Sequence, residues 1–154
     1  MQSISAGLLL YRQRASELQV FLVHPGGPYW ASKDEGAWSV PKGLVAPGEA
    51  ELAGARREFR EETGFDADGN GREHDLGVFR QPSGKRVHVW AVEGNCNPAG
   101  LTSNLFEMEW PPKSGRTARF PEVDRGGWFN RAQALQKIVA GQRPMLEKFY
   151  AEFG

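Results

Sequence analysis

Short apolar runs separated by polar stretches open the chain. Residues 5–11 and 18–24 are rich in Leu, Val and Phe, and the polar stretch 12–17 lies between them. Runs of this length and composition, bounded by polar residues, are typical of β-strands. The pattern therefore predicts a pair of strands joined by a polar connection of six residues.

Three more apolar or alternating segments follow later in the chain. Residues 75–80 and 85–93 predict two further strands, and Pro82–Gly84 between them predicts a tight turn. Residues 103–110 alternate, as a half-buried strand does. One face of that strand would carry Leu105, Glu107 and Glu109, and the other Asn104, Phe106, Met108 and Trp110.

Breaker residues mark the connecting segments. Residues 25–36 and 111–124 are rich in Gly, Pro and polar residues and predict two long irregular loops, of the kind that often carry function. Residues 66–73 predict a turn. Residues 38–42 predict a brief extended segment, because Pro41 lacks a backbone donor and restricts Val40.

Three helices are predicted between these breakers. The first begins near Ala50 after the Pro47–Gly48 turn, and Gly64 ends it after Thr63. A second is predicted over residues 131–140, with Asn130 as its N-cap. Gly141 ends the second helix, and a third begins near Pro144 and ends near Phe153.

Composition narrows the class of protein. The 154 residues fit one domain over residues 1–154, and 40% apolar with 25% charged residues is ordinary for a globular protein. The charges of the 19 basic and 19 acidic residues cancel. The chain therefore has no overall basic field that would indicate a nucleic-acid or membrane partner. The apolar run 6–10 is too short for a membrane span. A single cysteine, Cys96, excludes an intrachain disulfide and suits a reducing compartment, so we expect a cytoplasmic protein.

Carboxylates cluster on the first helix. Glu58, Glu61 and Glu62 stand at positions i, i+3 and i+4, so they share one helix face. Like charges at this spacing repel, and a hard divalent cation is the commonest reason for such a cluster. The alternative is a solvated helix face on which these residues pair with neighbouring arginines such as Arg56 and Arg60.

The stretch that contains this helix resembles the signature of the Nudix hydrolases. It runs from Gly43 to Phe65, and nine positions match at fixed spacing: Gly43, Glu49, Arg57, Glu58, Phe59, Glu61, Glu62, Gly64 and Phe65. A match of this length is far more specific than a glycine pattern alone. The preceding segments SAGLLLYR and WSVPKG resemble the corresponding segments of one branch of this family. That branch contains diadenosine polyphosphate hydrolases and predicted nucleoside triphosphate pyrophosphohydrolases.

The resemblance implies an α/β fold, the Nudix α/β/α sandwich with a mixed β-sheet. It also implies hydrolysis of a phosphoanhydride in a nucleoside diphosphate linked to another moiety, with Mg²⁺ or Mn²⁺. Glu61 and Glu62 would be metal ligands, together with the Gly43 carbonyl. Glu58 would be a ligand or the general base, and Arg57 with Glu49 would orient it. Glu122, six residues before Trp128, is the candidate for an additional ligand from the late loop.

The substrate contacts are predicted outside the signature. Tyr29, Trp30 and Trp38 could stack on a nucleobase or pack in the core, and Lys42 could meet phosphates or lie at the surface. The expected partner is a small nucleotide, namely a dinucleoside polyphosphate or nucleoside triphosphate, and ADP-ribose or a nucleotide sugar is the alternative. A Nudix scaffold that binds a nucleotide without cleaving it is the other function class. Nothing in the sequence indicates an oligomeric state.

Overall fold

A computed structural model describes residues 3–67 and 72–154 of the chain. Its centre is a six-stranded sheet in the order β4-β5-β1-β2-β8, with β3 paired to β1, and β6 and β7 form a separate two-stranded sheet. The strands are β1 (Ser5–Arg14), β2 (Glu17–Pro25), β3 (Lys42–Leu44), β4 (His74–Arg80), β5 (Arg86–Glu93), β6 (Leu105–Glu109), β7 (Thr117–Pro121) and β8 (Val123–Phe129). The helices are α1 (Glu51–Thr63), α2 (Arg131–Lys137) and α3 (Arg143–Phe153), with 3₁₀ turns at Pro98–Gly100 and Ala140–Gln142.

Helices cover both faces of the central sheet. Successive side chains of a strand point to opposite faces, so Leu8 and Leu10 of β1 pack on the α1 side, and Leu9 packs on the side of α2 and α3. Phe59 of α1 and Phe149 of α3 are fully buried in these two separate clusters. The β1–β5 pair is parallel and the other pairs in the sheet are antiparallel. The predicted α/β/α sandwich with a mixed sheet is therefore confirmed.

The first hairpin is tighter than the polar stretch 12–17 suggested. Both strands continue through that stretch, and only Ala15 and Ser16 remain as the turn, with φ of 52° and 64°. A two-residue turn with positive φ at both positions matches the twist of the flanking strands. The predicted six-residue connection was wrong, because polar residues at the exposed end of a hairpin still form ladder bonds.

The predicted loop 111–124 was also wrong as a continuous loop. Its second half forms β7, which pairs with β6 so that Glu107 lies opposite Arg119, and β8 begins at Val123. The chain reverses in between, where Lys113 and Gly115 have positive φ. The predicted strand 103–110 is confirmed in shorter form as β6.

The other boundaries follow the prediction closely. Gly64 has a left-handed φ of 78° and ends α1, and the tight turn between β4 and β5 is present. The helix α2 ends at Lys137 rather than at residue 140, because Ile138 is extended and forms a bridge with Trp38. Part of the turn predicted over residues 66–73 lies outside the described residues.

The segment between β2 and α1 leads the chain into the signature, which begins at Gly43. Ser39 bridges to Val23, and the buried Val40 N–H donates to the Gln142 side chain at 3.0 Å. The chain then enters β3, which pairs with the first residues of β1. None of the described helices has the length and apolar character that a membrane crossing requires.

The bond between Val40 and Gln142 gives a prediction about stability. Gln142 is 3% exposed, so Gln142→Met leaves the buried Val40 N–H without a partner. We expect the free energy of unfolding to fall by about 1–3 kcal/mol in urea titrations. Gln13→Met, at an exposed position of β1, is the control and should change it by less than about 0.5 kcal/mol. Equal values for the two variants would contradict the role of Gln142.

Candidate active site

The helix α1 presents its carboxylates from a firmly packed base. Gly54, Ala55, Phe59 and Thr63 form its buried face, and the Thr63 hydroxyl donates to the Phe59 carbonyl at 2.6 Å. The carboxylates of Glu58, Glu61 and Glu62 lie on other parts of the same helix and are buried to different degrees. The apolar face therefore fixes where the acidic face points.

Arg57 connects most of the acidic residues of the signature. Its Nε and Nη2 atoms donate to the two carboxylate oxygens of Glu49 at 2.9 and 3.1 Å. Its Nη1 atom donates to Glu58 at 3.0 Å and to Glu61 at 3.1 Å, and Nη2 also donates to the Leu44 carbonyl at 2.9 Å. The contacts expected of an Arg57–Glu49 pair that orients Glu58 are therefore present.

The contacts of Arg57 shift the pKa values of the residues that they join. Hydrogen bonds from Arg57 and from the Ala46 backbone lower the pKa of Glu49 to about 2. The same contact with Glu49, reinforced by Glu61 and Glu58, raises the pKa of Arg57. Glu49 and Arg57 thus form a permanent ion pair at neutral pH, as a supporting pair requires.

Glu58 lies directly against the backbone of Gly43. A Cβ atom at Gly43 would lie 2.0 Å from the Glu58 carboxylate carbon, so only glycine leaves room for this carboxylate. The Glu58 side chain is 15% exposed, and burial raises its pKa although Arg57 opposes the shift. The signature glycine before the helix is thus explained by a close contact.

Glu62 is the most strongly perturbed acid of the described chain. Burial raises its pKa to about 8, while the charge and backbone N–H of Lys42 oppose the shift, and the charges of Glu58 and Glu122 add to it. Glu122 likewise raises the pKa of Glu58. The structure therefore brings Glu58, Glu62 and Glu122 into one electrostatic group beside β3, whereas Glu61 is more exposed, at 41%.

The residues present fit a hard divalent cation. Their side-chain donors are carboxylate oxygens, which are the ligands that Mg²⁺ and Mn²⁺ prefer, and the backbone of Gly43 lies against the Glu58 carboxylate. The charge of Lys42 opposes the raised pKa of the buried Glu62 but does not cancel it, so a further cation would stabilise the ionised carboxylate. No three acidic, histidine or cysteine side chains within residues 3–67 and 72–154 are already gathered at ligand distances. In this arrangement the Arg57 guanidinium is the cation that Glu58 and Glu61 contact.

An aromatic cavity adjoins the acidic group. It has a volume of about 300 Å³, and Glu122 lies on its wall. Tyr29 and Trp30 line it from the loop after β2 and are 57% and 40% exposed. Phe106 and Met108 of β6 line the other side. The alternation of residues 103–110 predicts that Phe106 and Met108 share one face of a strand. The sequence does not show which residues pack against that face.

The other two predicted substrate contacts, Trp38 and Lys42, do not line this cavity. Trp38 is 5% exposed, packs against His24 and Phe129, and donates from its indole to Asp34, so the structure does not bring it to the cavity. The core interpretation of Trp38 is correct. Lys42 lies beside Glu62, where its backbone and its charge act on that carboxylate.

A model of the NUDIX domain family matches residues 1–149 of the chain. The chain belongs to this family. The resemblance that the signature predicted is therefore confirmed, and it extends well beyond Gly43–Phe65 over both faces of the sheet.

Two curated relatives match over part of their length. An RNA pyrophosphohydrolase of Erythrobacter litoralis is 43% identical over an alignment 65 residues long, and the match covers 39% of this chain and 38% of that protein. An 8-oxo-(d)GTP phosphatase of Mycolicibacterium smegmatis is 36% identical over 76 residues, which are 49% of this chain and 23% of that protein. The matched regions thus span less than two thirds of the length of each relative.

Solved Nudix structures share the fold over nearly the whole chain. A C. elegans Ap4A hydrolase binary complex has a TM-score of 0.65 and 25% identity, with 96% of each chain covered. The NUDIX domain of Shewanella oneidensis NrtR, complexed with ADP ribose, has a TM-score of 0.69 and 15% identity, covering 100% of this chain and 90% of that one. The second similarity shows the fold alone.

The raised pKa of Glu62 gives a prediction about stability and pH. When a chelator removes divalent cations, the raised pKa keeps a proton on Glu62 in the folded protein up to about pH 8. The ordinary pKa of a glutamate, which applies to the unfolded chain, is 4.5. Between these values the unfolded state binds fewer protons, so this residue makes the free energy of unfolding fall as pH rises. We expect Glu62→Gln to reduce that slope in urea titrations from pH 4.5 to 8.

The control for this experiment is Glu147→Gln, at an exposed position of α3 outside the Arg57 network. Its pH slope should match that of the wild-type protein. Parallel curves for the wild-type protein and Glu62→Gln would contradict the proposed burial of the Glu62 charge.

Proposed function

We propose that the protein is a Mg²⁺- or Mn²⁺-dependent pyrophosphohydrolase. It cleaves a phosphoanhydride bond in a nucleoside diphosphate linked to another moiety, with a dinucleoside polyphosphate or a nucleoside triphosphate as the preferred substrate. The observation that carries this proposal is the acidic face of α1 in a chain of the NUDIX family: the Glu58 carboxylate lies against the Gly43 backbone, and the charge of Glu122 acts on both Glu58 and Glu62.

The acidic group suits the chemistry of phosphoanhydride cleavage. Glu61 and Glu62 are the proposed metal ligands, with the Gly43 carbonyl and Glu122 as further ones. A bound divalent cation would supply charge neutralisation at the phosphates and lower the pKa of a coordinated water. An acidic group without a cation would repel a polyphosphate, so the metal and the substrate are expected to bind together.

The chain's own residues would then position the reaction. A water attacks one phosphorus atom, the bond from that phosphorus to the bridging oxygen breaks, and the water gives up a proton. Glu58 is held between Arg57 and the Gly43 backbone and is the proposed acceptor of that proton, or else a further ligand. Its raised pKa favours proton acceptance near neutral pH.

The aromatic cavity supports a nucleotide as the substrate. Tyr29 and Trp30 offer exposed rings next to Glu122, so a base held there would direct its phosphates towards the carboxylates. The similar proteins act on or bind related molecules, as their names state: Ap4A, 8-oxo-(d)GTP, ADP ribose and RNA. ADP-ribose or a nucleotide sugar is therefore the alternative substrate class.

A non-catalytic nucleotide-binding module is the second function class. Such a module would have no need of the complete set of signature carboxylates, and all four of Glu49, Glu58, Glu61 and Glu62 are present here. This retention favours the enzyme. We also propose that the protein is cytoplasmic and acts on small nucleotides rather than on nucleic acid, on the basis of its single cysteine and balanced charge.

The experiment that tests the function is a hydrolysis panel with purified protein and Mg²⁺ or Mn²⁺. It should contain diadenosine polyphosphates, nucleoside triphosphates, oxidised purine triphosphates, ADP-ribose and capped RNA. We expect turnover of the first or second class that a chelator abolishes. Binding of a nucleotide without turnover of any substrate would instead support the binding module.

The Glu58 carboxylate should be required for that turnover. We expect Glu58→Gln to lower kcat by about 10²- to 10⁴-fold, the usual contribution of a general base, while circular dichroism shows an intact fold. Glu147→Gln, at an exposed position of α3, is the matched control and should keep wild-type kcat. Wild-type activity in Glu58→Gln would remove Glu58 from the mechanism.

The aromatic residues should act on substrate affinity. We expect Tyr29→Ala and Trp30→Ala to raise KM by about 5- to 100-fold with little change in kcat, because stacking on a base contributes about 1–3 kcal/mol. Val78→Ala, an exposed apolar position on β4, is the control. If KM is the same in all three variants, the nucleobase does not bind in this cavity.

A further inference from the structure

A buried histidine comes directly before the loop that lines the aromatic cavity. His24, near the end of β2, is 0% exposed, and the mechanism above makes no use of it. Its Nε2 atom lies 2.6 Å from the Lys33 carbonyl, and its Nδ1 atom lies 2.8 Å from a carboxylate oxygen of Asp124. Since a carbonyl only accepts, Nε2 donates to Lys33.

One of these contacts leads into the wall that carries the aromatic residues. Lys33, whose carbonyl accepts from His24, donates its backbone N–H to the Trp30 carbonyl at 3.0 Å. Trp30 in turn donates its backbone N–H to Gly27 at 3.4 Å. A series of three hydrogen bonds therefore runs from the His24 ring to the two cavity residues Trp30 and Gly27.

The other contact leads into the opposite wall. Asp124 lies in β8, two residues after Glu122, and the backbone of Glu122 accepts from Gly26 and donates to Asn104 at 2.9 Å each. The register of β2 and β8 shifts between His24 and Pro25, which is the last residue of β2 and pairs with Val123, so the irregularity lies directly after the histidine. His24 is thus the last residue of regular pairing before the aromatic loop.

The surroundings of the ring are firmly packed. The Trp38 ring meets the His24 ring edge to face at 5.2 Å, and the Arg125 guanidinium lies 5.4 Å from the Trp38 ring centre. Both nitrogens of this buried ring are in hydrogen bonds, so a displaced ring would leave its own buried nitrogens without partners, which is costly. The ring therefore has one favourable position.

We infer that His24 is a positioning residue, which holds the loop of Tyr29 and Trp30 at a fixed distance from the strand that follows Glu122. The expected effect of His24 on KM rests on the proposed function. The expected effect of His24 on the loop does not depend on that function. His24 touches neither substrate nor metal in this proposal and acts through the Lys33 carbonyl.

Three substitutions separate the two hydrogen bonds. The amide of His24→Gln reaches approximately the place of Nε2 and keeps a donor for Lys33, whereas that of His24→Asn reaches the place of Nδ1 and keeps one for Asp124. His24→Leu loses both bonds. Phe149→Leu, in the core on the α3 side, is the control for a general loss of stability.

The first readout is hydrogen exchange of the Trp30 and Lys33 backbone amides in the full-length protein. We expect at least about tenfold faster exchange in His24→Asn and His24→Leu, and exchange within about threefold of wild type in His24→Gln and Phe149→Leu. Wild-type exchange in His24→Asn and His24→Leu would overturn the inference. Equal acceleration in all four variants would also overturn it, because only stability would then have changed.

The second readout is the division between KM and kcat for the best substrate of the hydrolysis panel. We expect KM to rise about tenfold in His24→Asn and His24→Leu, kcat to stay within about threefold, and His24→Gln to restore KM. An unchanged KM with fast loop exchange would overturn the positioning role. If the wild-type protein hydrolyses nothing, the proposed function fails, and the exchange experiment still decides the role of His24 in the loop.

Discussion

The candidate site depends on one guanidinium. All three nitrogens of Arg57 donate hydrogen bonds, and they connect the turn before α1 through Glu49, the end of β3 through the Leu44 carbonyl, and the helix itself through Glu58 and Glu61. Carboxylates this close repel one another, and a planar donor with fixed angles both offsets that repulsion and sets their orientation. Without Arg57, the loop, the strand and the helix would have no common anchor.

The central sheet of the sandwich holds the strand that Arg57 contacts. The strand β3 has only three residues, but it pairs with the first residues of β1, which lies at the centre of the sheet. Gly43 is therefore held rigidly, and the missing side chain at that position gives the Glu58 carboxylate its place. The aromatic cavity depends on longer-range contacts, since its walls come from the loop after β2 and from the β6–β7 hairpin.

The elements that could be predicted from sequence are those fixed by local chemistry. The α1 helix, its end at Gly64 and the strand pairs follow from periodicity and breakers, and the acidic face follows from spacing alone. The β7 strand and the fate of Trp38 could not be predicted, because both depend on partners far away in sequence: β6 for one, and His24 and Phe129 for the other. Phe106 and Met108 were placed on a common face, but the loop that faces them is determined only by the tertiary structure.

The register shift after His24 also has a meaning for the molecule as a whole. It lies where β2 pairs with β8, one outer strand of the central sheet, and a second shift lies between Asp75 and Gly77 on β4, the other outer strand. An outer strand with an even ladder is a template for a strand of another molecule, and irregular pairing twists it away from that geometry. Both outer strands of the sheet thus carry an irregularity of the kind that disfavours edge-to-edge pairing with another molecule.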